Sequence, residues 1–89
     1  MAKYLVVHPV GKELTLELGT PIGKAIKAGV TPDAYWLRSE YVREEGKLYC
    51  HWDAKDVESI RQVLAQTAPD LPTEGIYEID LAVNSEDYR

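Results

Sequence analysis

Glu44-Glu45-Gly46, near the middle of the chain, do most to limit the folds open to it. They separate two runs rich in Tyr and Trp, and the glycine is free to take a positive φ. That pattern predicts a tight β-hairpin. Residues 34–43 and 46–52 are then antiparallel neighbours, and every other element must be arranged around them.

Before the hairpin, Lys3-Tyr4-Leu5-Val6-Val7-His8 is β-branched and aromatic and stops at Pro9, as a strand does. Thr20-Pro21 offers a capping hydroxyl followed by proline, with Ile22, Ala25 and Ile26 at helical spacing and Gly29 as a stop. This predicts a helix over residues 20–28. A longer helix from Thr15, bent at Pro21, is the competing assignment, and Leu14, Leu16 and Leu18 also alternate like a strand. Thr31-Pro32-Asp33 is a turn. After the hairpin, Asp53 reads as an N-cap with Asp56 reinforcing it, and Val57, Ile60, Val63 and Leu64 form an apolar helix stripe ending before Pro69. Residues 68–74 are loop, 75–83 a fourth strand, and the tail from Asn84 is polar.

Strand, helix, strand, strand, helix, strand is the ferredoxin-like split βαβ plan. Right-handed crossovers give an α+β sandwich with an antiparallel sheet of order 4-1-3-2 and both helices on one face. The other face has no cover within the chain. The 89 residues make one domain.

Charge narrows the partners. The net charge of −5 and the lack of a Lys/Arg run disfavour nucleic acid. No apolar run is long enough for a membrane span, and residues 1–10 lack the pattern of a signal peptide. A single cysteine cannot form an internal disulfide, so a reducing cytoplasm is expected.

Side chains alternate along strands, so parity sorts them. Leu48, Cys50 and Trp52 are expected under the helices, with Cys50 a buried core thiol; Tyr49 and His51 take the open face. In strand one, Leu5 and Val7 are assigned to the core, and Tyr4, Val6 and His8 to the open face. In strand four, Tyr77, Ile79, Leu81 and Val83 form the better apolar row, so Ile76, Glu78 and Asp80 point outward. Strand two is ambiguous: either Tyr35, Leu37, Ser39 and Tyr41 or Trp36, Arg38 and Glu40 face outward. The open face thus gathers His8, His51, Glu78, Asp80, Tyr4 and Tyr49. Imidazole is the commonest protein ligand for transition metals, and these are the only two histidines. There is no Gly-rich phosphate loop, Cys-x-x-Cys, His-Glu-x-x-His or nucleophile elbow.

Several stretches resemble a family of small ferredoxin-like proteins that includes an actinobacterial nickel-binding protein. They are Lys3-Tyr4-Leu5, the Trp-x-x-Ser-x-Tyr-Val segment at Trp36 to Val42, Lys47-Leu48-Tyr49-Cys50, Ala54 to Ile60, and Ile76-Tyr77-Glu78-Ile79. The resemblance covers nearly the whole chain. It implies a homodimer and, in the nickel-binding branch, octahedral sites that use imidazole, with His8 and Glu78 the best-matching positions. That branch has more histidine after strand one, where this chain has Pro9-Val10. A six-coordinate site here therefore needs carboxylates, waters or the partner subunit.

Three functions follow. The leading one is a cytoplasmic homodimer binding a divalent transition metal, with Ni²⁺ suggested by the resemblance. Its ligands are His8, Glu78 and His51, with Tyr4, Tyr49 and Asp80 around them. The second is a dimeric αβ-barrel enzyme or binding domain for a small molecule, with His8 or His51 as acid/base. The third is a module whose open face only dimerises. No nucleotide or organic cofactor is indicated.

Overall fold

Gly46 takes φ +68°, and its N–H bonds the carbonyl of Val42 at 2.9 Å, which closes the hairpin. A Cβ there would lie 3.2 Å from the backbone of Gly11, so the position suits glycine twice over. The computed structural model describes residues 1–88. Around the hairpin lie β1 (Ala2–His8), α1 (Leu16–Gly29), β2 (Ala34–Val42), β3 (Lys47–Ala54), α2 (Val57–Thr67) and β4 (Gly75–Glu78). A short 3-10 turn spans Ser85–Tyr88.

The four strands form one antiparallel sheet of order β2-β3-β1-β4, the ferredoxin-like order expected from the sequence. Its core joins Tyr4, Val6, Cys50 and Trp52 of the two central strands to Ile26 of α1 and Ile60, Val63 and Leu64 of α2. Among the described residues, no helix is long and apolar enough to cross a membrane.

Three local readings need correction. Helix α1 begins at Leu16, not at residue 20, with the Thr15 hydroxyl accepting from Leu18 N at 3.2 Å. Pro21 sits past the first turn, where its missing N–H deprives the Glu17 carbonyl of a helical partner. Helix α2 is capped by Asp56, whose carboxylate accepts from Ser59 N at 2.8 Å; Asp53 still belongs to β3. Strand β4 stops at Glu78, although the Ile79 N–H still reaches Lys3 O at 2.8 Å. Beyond it Leu81 and Val83 are exposed rather than core.

The largest correction concerns β1 and β4. Tyr4 lies opposite Trp52, Val6 opposite Cys50 and His8 opposite Leu48, so this row of β1 faces the helices. Leu5 and Val7, opposite His51 and Tyr49, take the open face instead. Strand β4 follows β1: Ile76 and Glu78 share the helix side with Val6 and Tyr4, and Tyr77 shares the open face with Leu5. Both rows of β1 are apolar, so alternation alone could not choose between them.

Strand β2 resolves its own ambiguity with a bulge between Trp36 and Arg38. Before it Trp36 pairs with Trp52, and after it Ser39 and Tyr41 pair with Cys50 and Leu48. All three of these pairs lie under the helices. Arg38, Glu40 and Val42 therefore fall on the open face. An extra residue shifts the parity, so neither simple alternation read from the sequence was complete.

Candidate functional site

The expected six-residue cluster divides in two. His51 and Tyr49 stay on the open face; His8 and Tyr4 are buried under the helices. Glu78 is exposed and lies opposite Tyr4, four positions along β1 from His8. At the usual strand rise this separates the two by about 13 Å, well beyond ligand or hydrogen-bond reach. Asp80 lies beyond the end of β4 and is exposed.

On the open face, the bulge brings Glu40 into play. His51 Nε2 and Glu40 Oε1 are 2.8 Å apart, and Arg38 Nε lies 3.1 Å from the other carboxylate oxygen. Glu40 accepts from both. On the same face lie half-buried Leu5 and half-exposed Tyr77, with Val7 buried. The Tyr49 hydroxyl donates to Glu45, and Lys47 pairs with Glu74 at 3.1 Å. Glu40 was missed as a site residue because only the bulge decides which way it points.

The helix side holds the second set. A cavity of about 1090 Å³ lies between α1, the sheet and the loop after α2. The front of α1 leaves this space open. Gly19 and Gly23 sit where a core helix would carry bulk, and Leu16 and Leu18 are exposed. Trp36, Leu48, Cys50, Trp52 and His8 form much of the sheet-side wall. Trp36 Nε1 donates to Ser39 Oγ at 2.9 Å, and Ser39 donates to Cys50 Sγ at 2.9 Å.

His8 has no exposed surface. Its Nδ1 lies 3.0 Å from the carbonyl of Pro72 and 3.2 Å from the Thr73 hydroxyl. A carbonyl can only accept, so Nδ1 carries the proton and Nε2 is left with its lone pair. Among the described residues, that Nε2, like the indole N–H of Trp52, is buried without a partner. Burial lowers the imidazole's pKa, against a smaller opposing effect of the Pro72 hydrogen bond, so the ring favours its neutral form.

Burial likewise pushes the Cys50 thiol up to about 11, against the pull of the Ser39 hydrogen bond. Thiolate is the reactive form. Iodoacetamide is therefore expected to label native Cys50 far more slowly than the same chain in denaturant, as followed by intact mass. Equal rates would place the thiol at the surface.

Among the described residues no three His, Cys, Asp or Glu side chains stand close enough to hold one metal ion. One chain alone thus presents an imidazole and a carboxylate, but no complete donor set.

A ferredoxin-like domain with one uncovered sheet face, carrying a histidine–carboxylate pair, is the class these features define. The family model described as "Nickel responsive protein SCO4226-like" matches residues 4–79, and the chain belongs to this family. Its fold is similar to that in the crystal structure of SCO4226 from Streptomyces coelicolor A3(2), with a TM-score of 0.81 at 17% identity. That match covers 92% of this chain and 100% of the other. Comparison with curated proteins gives no significant match.

Proposed function

We propose that this chain is a cytoplasmic, nickel-binding homodimer whose two copies pair through the open sheet face and hold the metal with His51 and Glu40. The observation that carries the reading is the His51–Glu40 pair, 2.8 Å apart on that face, in a member of a nickel-responsive family. Imidazole and carboxylate are both suitable donors to a divalent first-row metal. A two-fold dimer doubles an isologous pair. Two imidazoles and two carboxylates would then be available, leaving water to complete an octahedral shell. Exposed Tyr77 and Val42, with half-buried Leu5, supply the apolar surface that favours pairing of the faces.

His51 Nε2 would supply the lone pair to the metal, with the ring proton on Nδ1, and Glu40 stands close enough to ligate beside it. Arg38 holds the second Glu40 oxygen and fixes the carboxylate's orientation.

Calorimetric titration of Ni²⁺ into untagged protein, paired with sedimentation equilibrium, tests this. The wild type is expected to sediment as a dimer and to bind Ni²⁺ saturably. His51→Ala is expected to lose most of that uptake, by at least the ~10–100-fold typical of disturbing a metal's supporting residues. A monomer, or equal affinity in the variant, contradicts the reading.

A further inference from the structure

The cavity under α1 has no part in the metal reading and lies on the opposite side of the sheet. We propose that it is a binding site for a small, largely apolar molecule carrying a hydroxyl group, with His8 Nε2 accepting the hydroxyl proton. The inference is independent of whether the open face binds metal.

Three observations support it. The first is size. At about 1090 Å³ the space, partly open to solvent, slightly exceeds the ~300–1,000 Å³ that small-molecule pockets usually occupy. Here Gly19 keeps the space open from the helix side, while Gly23 lets α1 approach the Trp36 ring. An added Cβ at Gly19 would find only Leu14 Cδ1, at 3.9 Å.

The second is the wall. Trp36 and Leu48, both partly exposed, offer flat and branched apolar surface over the buried Trp52, with few polar atoms free to bind. The Ser39 hydroxyl is already committed, accepting from Trp36 and donating to Cys50. The Tyr41 hydroxyl donates to Gly11 O at 2.6 Å. A mostly apolar ligand matches such a wall.

The third is His8. Buried side-chain nitrogens nearly always find partners, and leaving one unpaired costs stability. Pro72 fixes the tautomer so that the unpaired nitrogen is an acceptor rather than a donor. The ligand must therefore donate, and a hydroxyl does so without carrying charge into the cavity. The ring exposes no surface, so the ligand's polar end reaches it by parting the wall side chains beside it. A single bound water would satisfy Nε2 but would leave the rest of the apolar wall unfilled.

The probes are 2-naphthol and naphthalene, which differ by one hydroxyl. Binding is read from the fluorescence of Trp36 and Trp52, both in the cavity wall, with a chelator present so that metal plays no part. The wild type is expected to bind both saturably, one per chain, and to prefer 2-naphthol by about tenfold, the worth of one well-placed hydrogen bond. His8→Leu is expected to keep naphthalene binding and to lose the preference. Gly19→Leu, which puts bulk into the cavity from α1, is expected to weaken both, and it keeps the test informative if His8→Leu does not fold. Saturable binding of neither probe to the wild type would overturn the proposal. So would an unchanged preference in His8→Leu, or unchanged affinities in Gly19→Leu.

Discussion

Truncating Trp52 to Ala is expected to destabilise the domain by about 3–5 kcal/mol, a large part of the ~5–15 kcal/mol that holds a small domain together. Trp52 is the largest fully buried side chain, 1% exposed, and it pairs across the sheet with both Tyr4 and Trp36. It already borders the cavity, so the loss of the indole would enlarge a space that its neighbours do not fill. In a domain of this size the expected fall in Tm is on the order of 15–30 °C, read by circular dichroism. Trp52→Phe is expected to be much milder. The indole N–H makes no hydrogen bond, so the change forfeits volume but no polar contact. A Trp52→Ala protein melting within a few degrees of the wild type would mean that the sheet does not bury this face.

Acid is expected to weaken the fold through His8. Burial lowers its pKa in the folded chain, while the unfolded chain keeps the ordinary value near ~6.5. Below that value the unfolded chain takes up a proton that the folded chain resists, so stability falls as pH drops and is fully present only above it. Urea midpoints are therefore expected to decline from pH 7.5 toward pH 5. In His8→Leu that part of the decline is expected to vanish. Asp56 acts in a separate window. The Ser59 hydroxyl and N–H hold its carboxyl below the usual range, so its contribution is present above the ordinary carboxylate pKa near ~3.9 and is lost only at lower pH. A decline over pH 7.5–5 that is identical in His8→Leu would show that some other group titrates there.

The parts of this fold legible in the sequence were those set by local chemistry. Gly46 announced the hairpin, the apolar stripe from Val57 announced α2, and their order was enough to place the strands. Faces were harder. In β1 both rows are apolar because both sheet faces carry apolar surface, and polarity alone drew His8 outward. What keeps His8 inside is the carbonyl of Pro72, sixty-four residues away in the loop before β4, and no local pattern signals such a contact. In β2 one bulged residue reverses the parity, which is why Trp36 and Ser39 share a face. The cavity was invisible for a related reason. Gly19 lay outside the helix predicted over residues 20–28, whereas in the folded chain it is part of α1 and borders the open space. Of the site residues, His51 kept its expected face and gained a partner, Glu40, which one of the two alternations read for β2 had placed outward.

The two histidines give the most direct test of where metal binds, because the sheet separates them. Nickel is paramagnetic and broadens the NMR signals of nearby nuclei, so imidazole ring signals can be followed as Ni²⁺ is added in small steps. The expected result is that the His51 ring broadens first, at less than one equivalent, while the buried His8 ring stays sharp. Broadening of His8 first, or of neither ring, would contradict a metal site on the open face.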